Sequence, residues 1–270
     1  MRVILSRKGF DSQYGGQPSP IMPDGTLLSL PIPAKNEKNK YSDLKFNDKT
    51  ILEIIKEIKP DTKIKDNYTC HLDPDLRKDI VHREKGWRPL FGQTYISQGH
   101  LLKEGIKVGD LFLFFGTFRQ TEWVDGMLKY KNNCPEVHLI FGYLQIGAIY
   151  HDLSLLPVEL NYHPHAQKRF LLNKNNCIYQ ASDSLSFSPS RKGAACLNYH
   201  DGLVLTKQGY SKSKWKLPEF FREVKMSYHR PGSFRNDYFQ SALKGQEFVI
   251  EENKYVTEWA KNQIYLGTKT

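Results

Sequence analysis

The chain has 270 residues, enough for one large domain or two small ones with a sizeable core in either case. Aromatic residues make up 13% and charges are scattered, which excludes a disordered chain, and a net charge of +10 favours nucleotides or nucleic acid as partners. The widely spaced cysteines 70, 134, 177 and 196 form no CxxC pair, so neither a zinc ribbon nor a disulfide framework is indicated.

In chain order, "RVILS" (2–6) reads as a short strand feeding the loop "SRKGFDSQYGGQPSPIMPDG" (6–25). That apolar run is far too short for a signal peptide, and no stretch approaches the roughly 18 apolar residues of a membrane span, so the reading is a cytoplasmic protein without a membrane partner. "LLSLPIP" (27–33) is extended and closed by prolines. A helix is predicted over "NDKTILEIIKEIKPD" (47–61), capped by Asp48, with Ile51, Ile54, Ile55 and Ile58 in one apolar stripe and Pro60 as its stop.

"KVGDLFLFFGTF" (107–118) predicts a turn and then a strand apolar on both faces, and "VHLIFGYLQIGAIY" (137–150) a second such strand. Gly142 and Gly147 inside it mark bulges, a barrel corner or close backbone approach. Later strands are predicted at "CIYQAS", "GLVLTK" and "EFVIEE", and helices at "LPEFFREVK" and "YVTEWAKNQIY". The expected fold is α+β: a single domain, residues 1–270, on a mixed or antiparallel barrel-like sheet with peripheral helices. The "KVGD" turn before a buried strand, followed by a glycine-broken strand, is similar to the core of PUA-like and EVE-like barrels.

Several segments carry residue types suited to chemistry. The opening loop places Arg7, Lys8 and Asp11 beside glycines, which suits either a phosphate cradle or a proline-pinned surface loop. No P-loop or GxGxxG spacing is present. In "CHLDPDLRKD" (70–79), His71 and Asp73 share a face if the chain is extended, as metal ligands or an acid/base pair need; the other reading is a turn at Asp73–Pro74 that starts a helix. "GWRPLFGQTYISQGH" (86–100) reads as a loop with Trp87, Arg88, Gln93, Gln98 and His100, a composition that stacks on and hydrogen-bonds a planar ligand. His138 opens a buried strand and suits a satisfied core histidine or a ligand contact. His163 and His165 in "NYHPHAQ" are candidate metal ligands without a recognised motif, and Glu247 is either a general base or an exposed carboxylate at a strand start.

Taken together, "SRKGFDSQYGGQPSPIMPDG", "HLDPDL", "GWRPLFGQ" with "QGH", "VGDLFLFFGTFR", "HLIFGYLQIG", "HPH" and "GQEFV" resemble, in this order, the third family of nucleotide modification associated domains. The resemblance covers roughly residues 1–260. It implies a role beside modified nucleotides in bacterial, phage or mobile-element systems that modify bases in DNA, with other proteins of such a system as partners. It leaves the cofactor unknown and the reaction unsettled. Thr117, Tyr143 and Phe234 stand where the family pattern has tryptophan; tyrosine and phenylalanine keep a stacking face and threonine does not.

Two functions follow. In the first, the chain is an enzyme, a transferase or hydrolase acting on a nucleotide or a base in DNA. His71, Asp73 and His100 then move protons and Glu247 acts as an orienting base, while Arg7, Lys8, Asp11, Trp87, Arg88, Gln93, Gln98, Arg119, His138 and Gln246 bind the nucleotide. In the second, the same surface recognises a modified base, in DNA more readily than RNA, without altering it.

Overall fold

The structure, a computed structural model, describes residues 1–268. Its centre is a nine-stranded mixed sheet. In chain order the strands are β1 (Val3–Arg7), β2 (Ser19–Ile21), β3 (Leu90–Gln93), β4 (Leu111–Val124), β5 (Met127–Tyr130), β6 (Val137–Tyr150), β7 (Cys177–Ala181), β8 (Ala194–Cys196) and β9 (Glu247–Ile250). The main path runs β9-β1-β4-β6-β7-β3, with β2 and β5 also on β4, and β8 on β6. The two ladders β1–β4 and β2–β4 are parallel, and the other ladders of the sheet are antiparallel.

The two predicted central strands are β4 and β6. Residues 111–118 of β4 are buried throughout, because β4 carries partners on both edges and is covered on both faces. Along β6 the ladder slips twice, once at Phe141 beside Gly142 and once at Gly147. At Gly147 a Cβ would meet the Ser182 backbone at 2.6 Å, so only glycine permits this approach.

The sheet does not close into the expected barrel, and the PUA-like core is not found. Among the described residues no ladder joins β9 to β3. The outer edge of β9 is already occupied: Ser227 N donates to Val249 O at 2.9 Å and Glu251 N to Lys225 O at 3.0 Å. The ends of the path nevertheless meet through side chains, since Gln93 Nε2 on β3 donates to Glu247 Oε1 on β9 at 2.7 Å. A seam bridged by side chains replaces a ladder.

Helix α1 (Ile51–Ile58) buries the predicted isoleucine stripe and Leu52. Each buried isoleucine stabilises by about 1.5–3 kcal/mol relative to an exposed one. Its cap is Thr50, not Asp48: Thr50 Oγ1 accepts from Glu53 N while Glu53 Oε2 accepts from Thr50 N. This reciprocal arrangement satisfies two backbone donors, which a carboxylate two residues earlier cannot reach. The helix packs in a second apolar cluster with Phe10, Leu28, Leu30, Tyr41 and Leu44, beside the larger cluster built on the sheet.

Other expectations are corrected. The segment predicted as a loop at 86–100 contains β3 and the start of helix α2 (Tyr95–Lys103), whose exposed Ile96 and internal Gly99 blur its periodicity. Pro74 starts no helix, because the Asp75 backbone pairs in both directions with Leu90. "GLVLTK" is a 3-10 turn at Asp201–Leu203 followed by isolated bridges, and "LPEFFREVK" holds only a 3-10 turn at Glu219–Glu223. The short helix α3 (Lys168–Leu171) was unpredicted, and α4 (Lys254–Gly267) closes the described chain as expected. No helix of the described residues is long and apolar enough to cross a membrane.

His138 lies in the core at the start of β6, where its Nδ1 accepts from Trp215 Nε1 at 3.1 Å. Burial pushes it down to about 3, helped by the charges of Arg7 and Lys212. Its ring stays neutral in the fold but takes a proton in the unfolded chain below about pH 6.5. Stability is therefore lost as pH falls from about 6.5 towards 3. His138→Gln is expected to lower the slope of stability against pH in that window by up to one proton, about 1.4 kcal/mol per pH unit. Urea titrations at pH 6.5, 5.5 and 4.5 check this; parallel slopes for the two chains would refute it.

Candidate functional site

The seam between β9 and β3 opens into a cleft of about 540 Å³. Its lining includes Lys8 after β1, Gln93 at the end of β3, His71 and Asp73, His165, and Phe170 on α3. His71 ends a two-residue strand, Cys70–His71, paired with Ile32–Pro33. The alternation expected of extended chain thus carries through, since His71 and Asp73 both border the cleft. His163 and His165 stand around a 3-10 turn, Pro164–Ala166, that packs on β3 and β7.

The imidazoles are fixed by what their inner nitrogens touch. His71 Nδ1 lies 2.6 Å from Glu37 Oε1, and Arg169 pairs with the same carboxylate. His165 Nδ1 lies 2.7 Å from Asn176 Oδ1, while Asn176 Nδ2 donates to His165 O at 2.9 Å, which orients the amide. Both Nδ1 atoms therefore carry hydrogen and donate, so in the neutral rings both Nε2 atoms present bare lone pairs. Those two atoms are 3.2 Å apart. Phe170 stacks on His165 at 4.6 Å and holds its plane. Burial pushes His165 down to about 3, against the pull of Asp73, so its ring is neutral near pH 7.

Asp73 is shaped by the same surroundings. Its Oδ1 accepts from Gly92 N at 2.7 Å and lies 3.2 Å from His163 Nε2. His163 Nδ1 in turn accepts from His165 N, which places the ring hydrogen on Nε2, towards Asp73. Burial opposes a charge on Asp73, but His163, His165 and His71 outweigh it and hold the carboxyl well below its usual range. Its Oδ2 is 3.9 Å from His71 Nε2. Ligand atoms of His71, Asp73 and His165 all lie within 4.8 Å of one another, a set that can hold a metal ion.

Glu247 is buried, 1% exposed, and not the exposed strand-start carboxylate of the alternative reading. Its Oε1 accepts from Lys8 Nζ at 2.8 Å and from Gln93 Nε2 at 2.7 Å, while Oε2 has no partner. Lys8 Nζ also sits 4.5 Å over the Phe91 ring, so this ion pair closes the apolar interior of the rolled sheet at its seam.

The other candidate residues divide by place. Arg7, Asp11 and Gln246 border the cleft with Lys8. The Arg7 guanidinium donates to Ala242 O and Leu243 O and clamps the loop before β9, and Asp11 Oδ1 accepts from the Gln13 and Tyr14 amides. Trp87 and Arg88 do not border the cleft: Trp87 Nε1 donates to Asp75 Oδ2 at 3.3 Å, and Arg88 pairs with Asp183. Gln98 accepts from Tyr179 Oη, Arg119 donates to Lys131 O over the Tyr130 ring, and His100 Nε2 lies 2.9 Å from Ser227 Oγ. His138 is in the core.

Glu37, Asn176 and Phe170, which orient the histidines, were missed. Glu37 sits in a charged loop, "KNEK", and Asn176 in an asparagine-rich one, "NKNNC", so neither offers a periodic signal.

A rolled mixed sheet with histidines and carboxylates converging on its seam gives the chain a built polar cleft. The family model described as nucleotide modification associated domain 3 matches residues 2–251, and the chain belongs to that family. No curated protein and no solved structure matches it.

Proposed function

We propose that the chain is an enzyme that modifies a nucleotide or a base in DNA, with the cleft at the seam as its active site. The observation that carries this reading is the convergence of Lys8, His71, Asp73 and His165 on the cleft, with Glu247 bonded to Lys8 behind its lining, all of them buried or nearly so. Burying ionisable groups is costly even when they are paired, and such groups cluster where proton transfer or charge stabilisation is needed. A pocket that merely reads a base calls for stacking faces and amide edges. Of the loop expected to supply them, Gln93 borders the cleft beside Phe170 and Gln246, but Trp87 is committed elsewhere, beneath Arg83 and bonded to Asp75. In this reading Lys244, exposed on the cleft's rim, meets the substrate phosphate, and Arg7 acts by holding the loop that carries it.

The test pairs binding with turnover. Nucleoside mono- and triphosphates and short DNA are screened by thermal shift, where a ligand at about 100 times its Kd adds roughly 2.7 kcal/mol. Hits are incubated with the protein and followed by mass spectrometry. Conversion of a hit, abolished in His71→Ala while the thermal shift persists, is the expected result. Binding without conversion of any hit, or undiminished conversion by the variant, would overturn it.

A further inference from the structure

We propose that His71, Asp73 and His165 form a binding site for one divalent first-row transition metal ion. The inference shares the cleft with the reading above but does not depend on turnover. The first support is the contact between the two histidines. Two nitrogens each held about 2.0–2.1 Å from one tetrahedral ion stand roughly 3.4 Å apart, and the two Nε2 atoms stand 3.2 Å apart. As their Nδ1 hydrogens point to Glu37 and Asn176, the two Nε2 lone pairs face one another with no hydrogen of the neutral rings between them. Left so, the contact is repulsive; a cation shared by both nitrogens makes it attractive.

The second support is independent of that distance. Each ligand's other polar atom is already taken by a fixed partner. Glu37, itself paired with Arg169, holds His71, and Asn176, oriented by the His165 carbonyl, holds His165. The Gly92 amide and His163 engage Asp73 Oδ1 and leave Oδ2 available. Imidazoles held by a carboxylate or an amide oxygen, beside a carboxylate that is itself hydrogen-bonded, are the surroundings that fix ligand orientation and raise basicity at metal centres. The rings cannot turn without breaking those bonds, which keeps both Nε2 atoms aimed at one point beside Asp73 Oδ2.

The donor set selects the metal class. Two imidazoles and one carboxylate suit zinc, iron(II), manganese or cobalt; all-oxygen calcium and magnesium sites and soft thiolate copper(I) sites differ from it. His71, Asp73 and His165 line the cleft, so positions not taken by protein face the space where a substrate would enter.

The test uses Co²⁺ as a probe on the purified full chain after treatment with a chelator. Visible absorption and elemental analysis report binding and stoichiometry, and unfolding curves without metal report the integrity of each variant. The expected result is one Co²⁺ per chain, displaced by Zn²⁺. Asn176→Ala keeps all three ligands and is expected to weaken binding about 10–100-fold. His165→Ala is expected to lose at least as much. No Co²⁺ bound by the folded parent chain would overturn the proposal. So would equal affinity in Asn176→Ala, or in a folded His165→Ala. Because none of these readings involves turnover, failure of the metal site and failure of the enzyme reading are separable.

Discussion

Gly92→Ala is expected to leave a folded protein with a broken site. Gly92 lies on β3, and a Cβ there would stand 2.3 Å from His165 Cδ2, 2.4 Å from its Cγ and 2.9 Å from His163 Cε1. Neither ring can yield freely: His165 is held by Asn176 and stacked on Phe170, and His163 is fully buried against Asp73. The methyl group must therefore displace the imidazole that faces His71. A displacement near 1 Å of a group in a reacting constellation lowers turnover by about 100-fold. Overpacking of this kind destabilises by about 1–3 kcal/mol, within what a domain of this size tolerates. Gly232→Ala is the control, since its Cβ meets nothing within 4 Å and its φ is ordinary. A Gly92→Ala chain with parental activity would mean that His165 is not part of the working site.

Asp75→Ala is expected to be the most destabilising single change near the site. Asp75 is 1% exposed and takes both guanidinium arms of Arg83, with NH1 at 2.7 Å from Oδ2, and the indole of Trp87. Arg83 also donates to Arg77 O and lies over the Trp87 and Tyr162 rings, so its charge has no route to water once the carboxylate is gone. Stranding one member of a buried ion pair costs about 3–5 kcal/mol. Chemical denaturation measures it. Adding Arg83→Met is expected to recover part of the loss, because the uncompensated charge goes with it. A single-variant loss below about 1 kcal/mol would show that water reaches Arg83 after all.

Asp75 also marks where reading the sequence succeeds and where it stops. In "HLDPDL" the residues two apart, His71 and Asp73, do border the cleft together, because extended backbone puts alternate side chains on one side. Asp75, next in that alternation, pairs with Arg83 instead, because its backbone is drawn into pairing with Leu90. A helical stripe made α1 readable and continuous apolar runs made β4 and β6 so, and the two glycines of β6 announced its two slips. Neither signal could reveal α2, whose composition lacks an apolar stripe, or whether the sheet would close. Closure depends on the segment at 225–227 occupying the edge of β9, a competition between distant pieces of chain. The site residues were visible as types but not as a group. Joining His165 to His71 requires contact across 94 positions, and the helpers Glu37 and Asn176 lie in loops with no pattern to betray them.

The place of β9 beside β1 has a consequence for synthesis on the ribosome. Lys8 leaves the exit tunnel some 239 positions ahead of Glu247, its partner. Until the last strand has emerged, the first has a free edge where Glu247–Ile250 will bind, and the cleft lacks one wall. A nascent chain paused before that point but past residue 165 can already hold His71 and His165, yet it cannot complete the cleft that they border. The cleft is thus completed only when Glu247–Ile250 has paired with β1, however early its histidines are made.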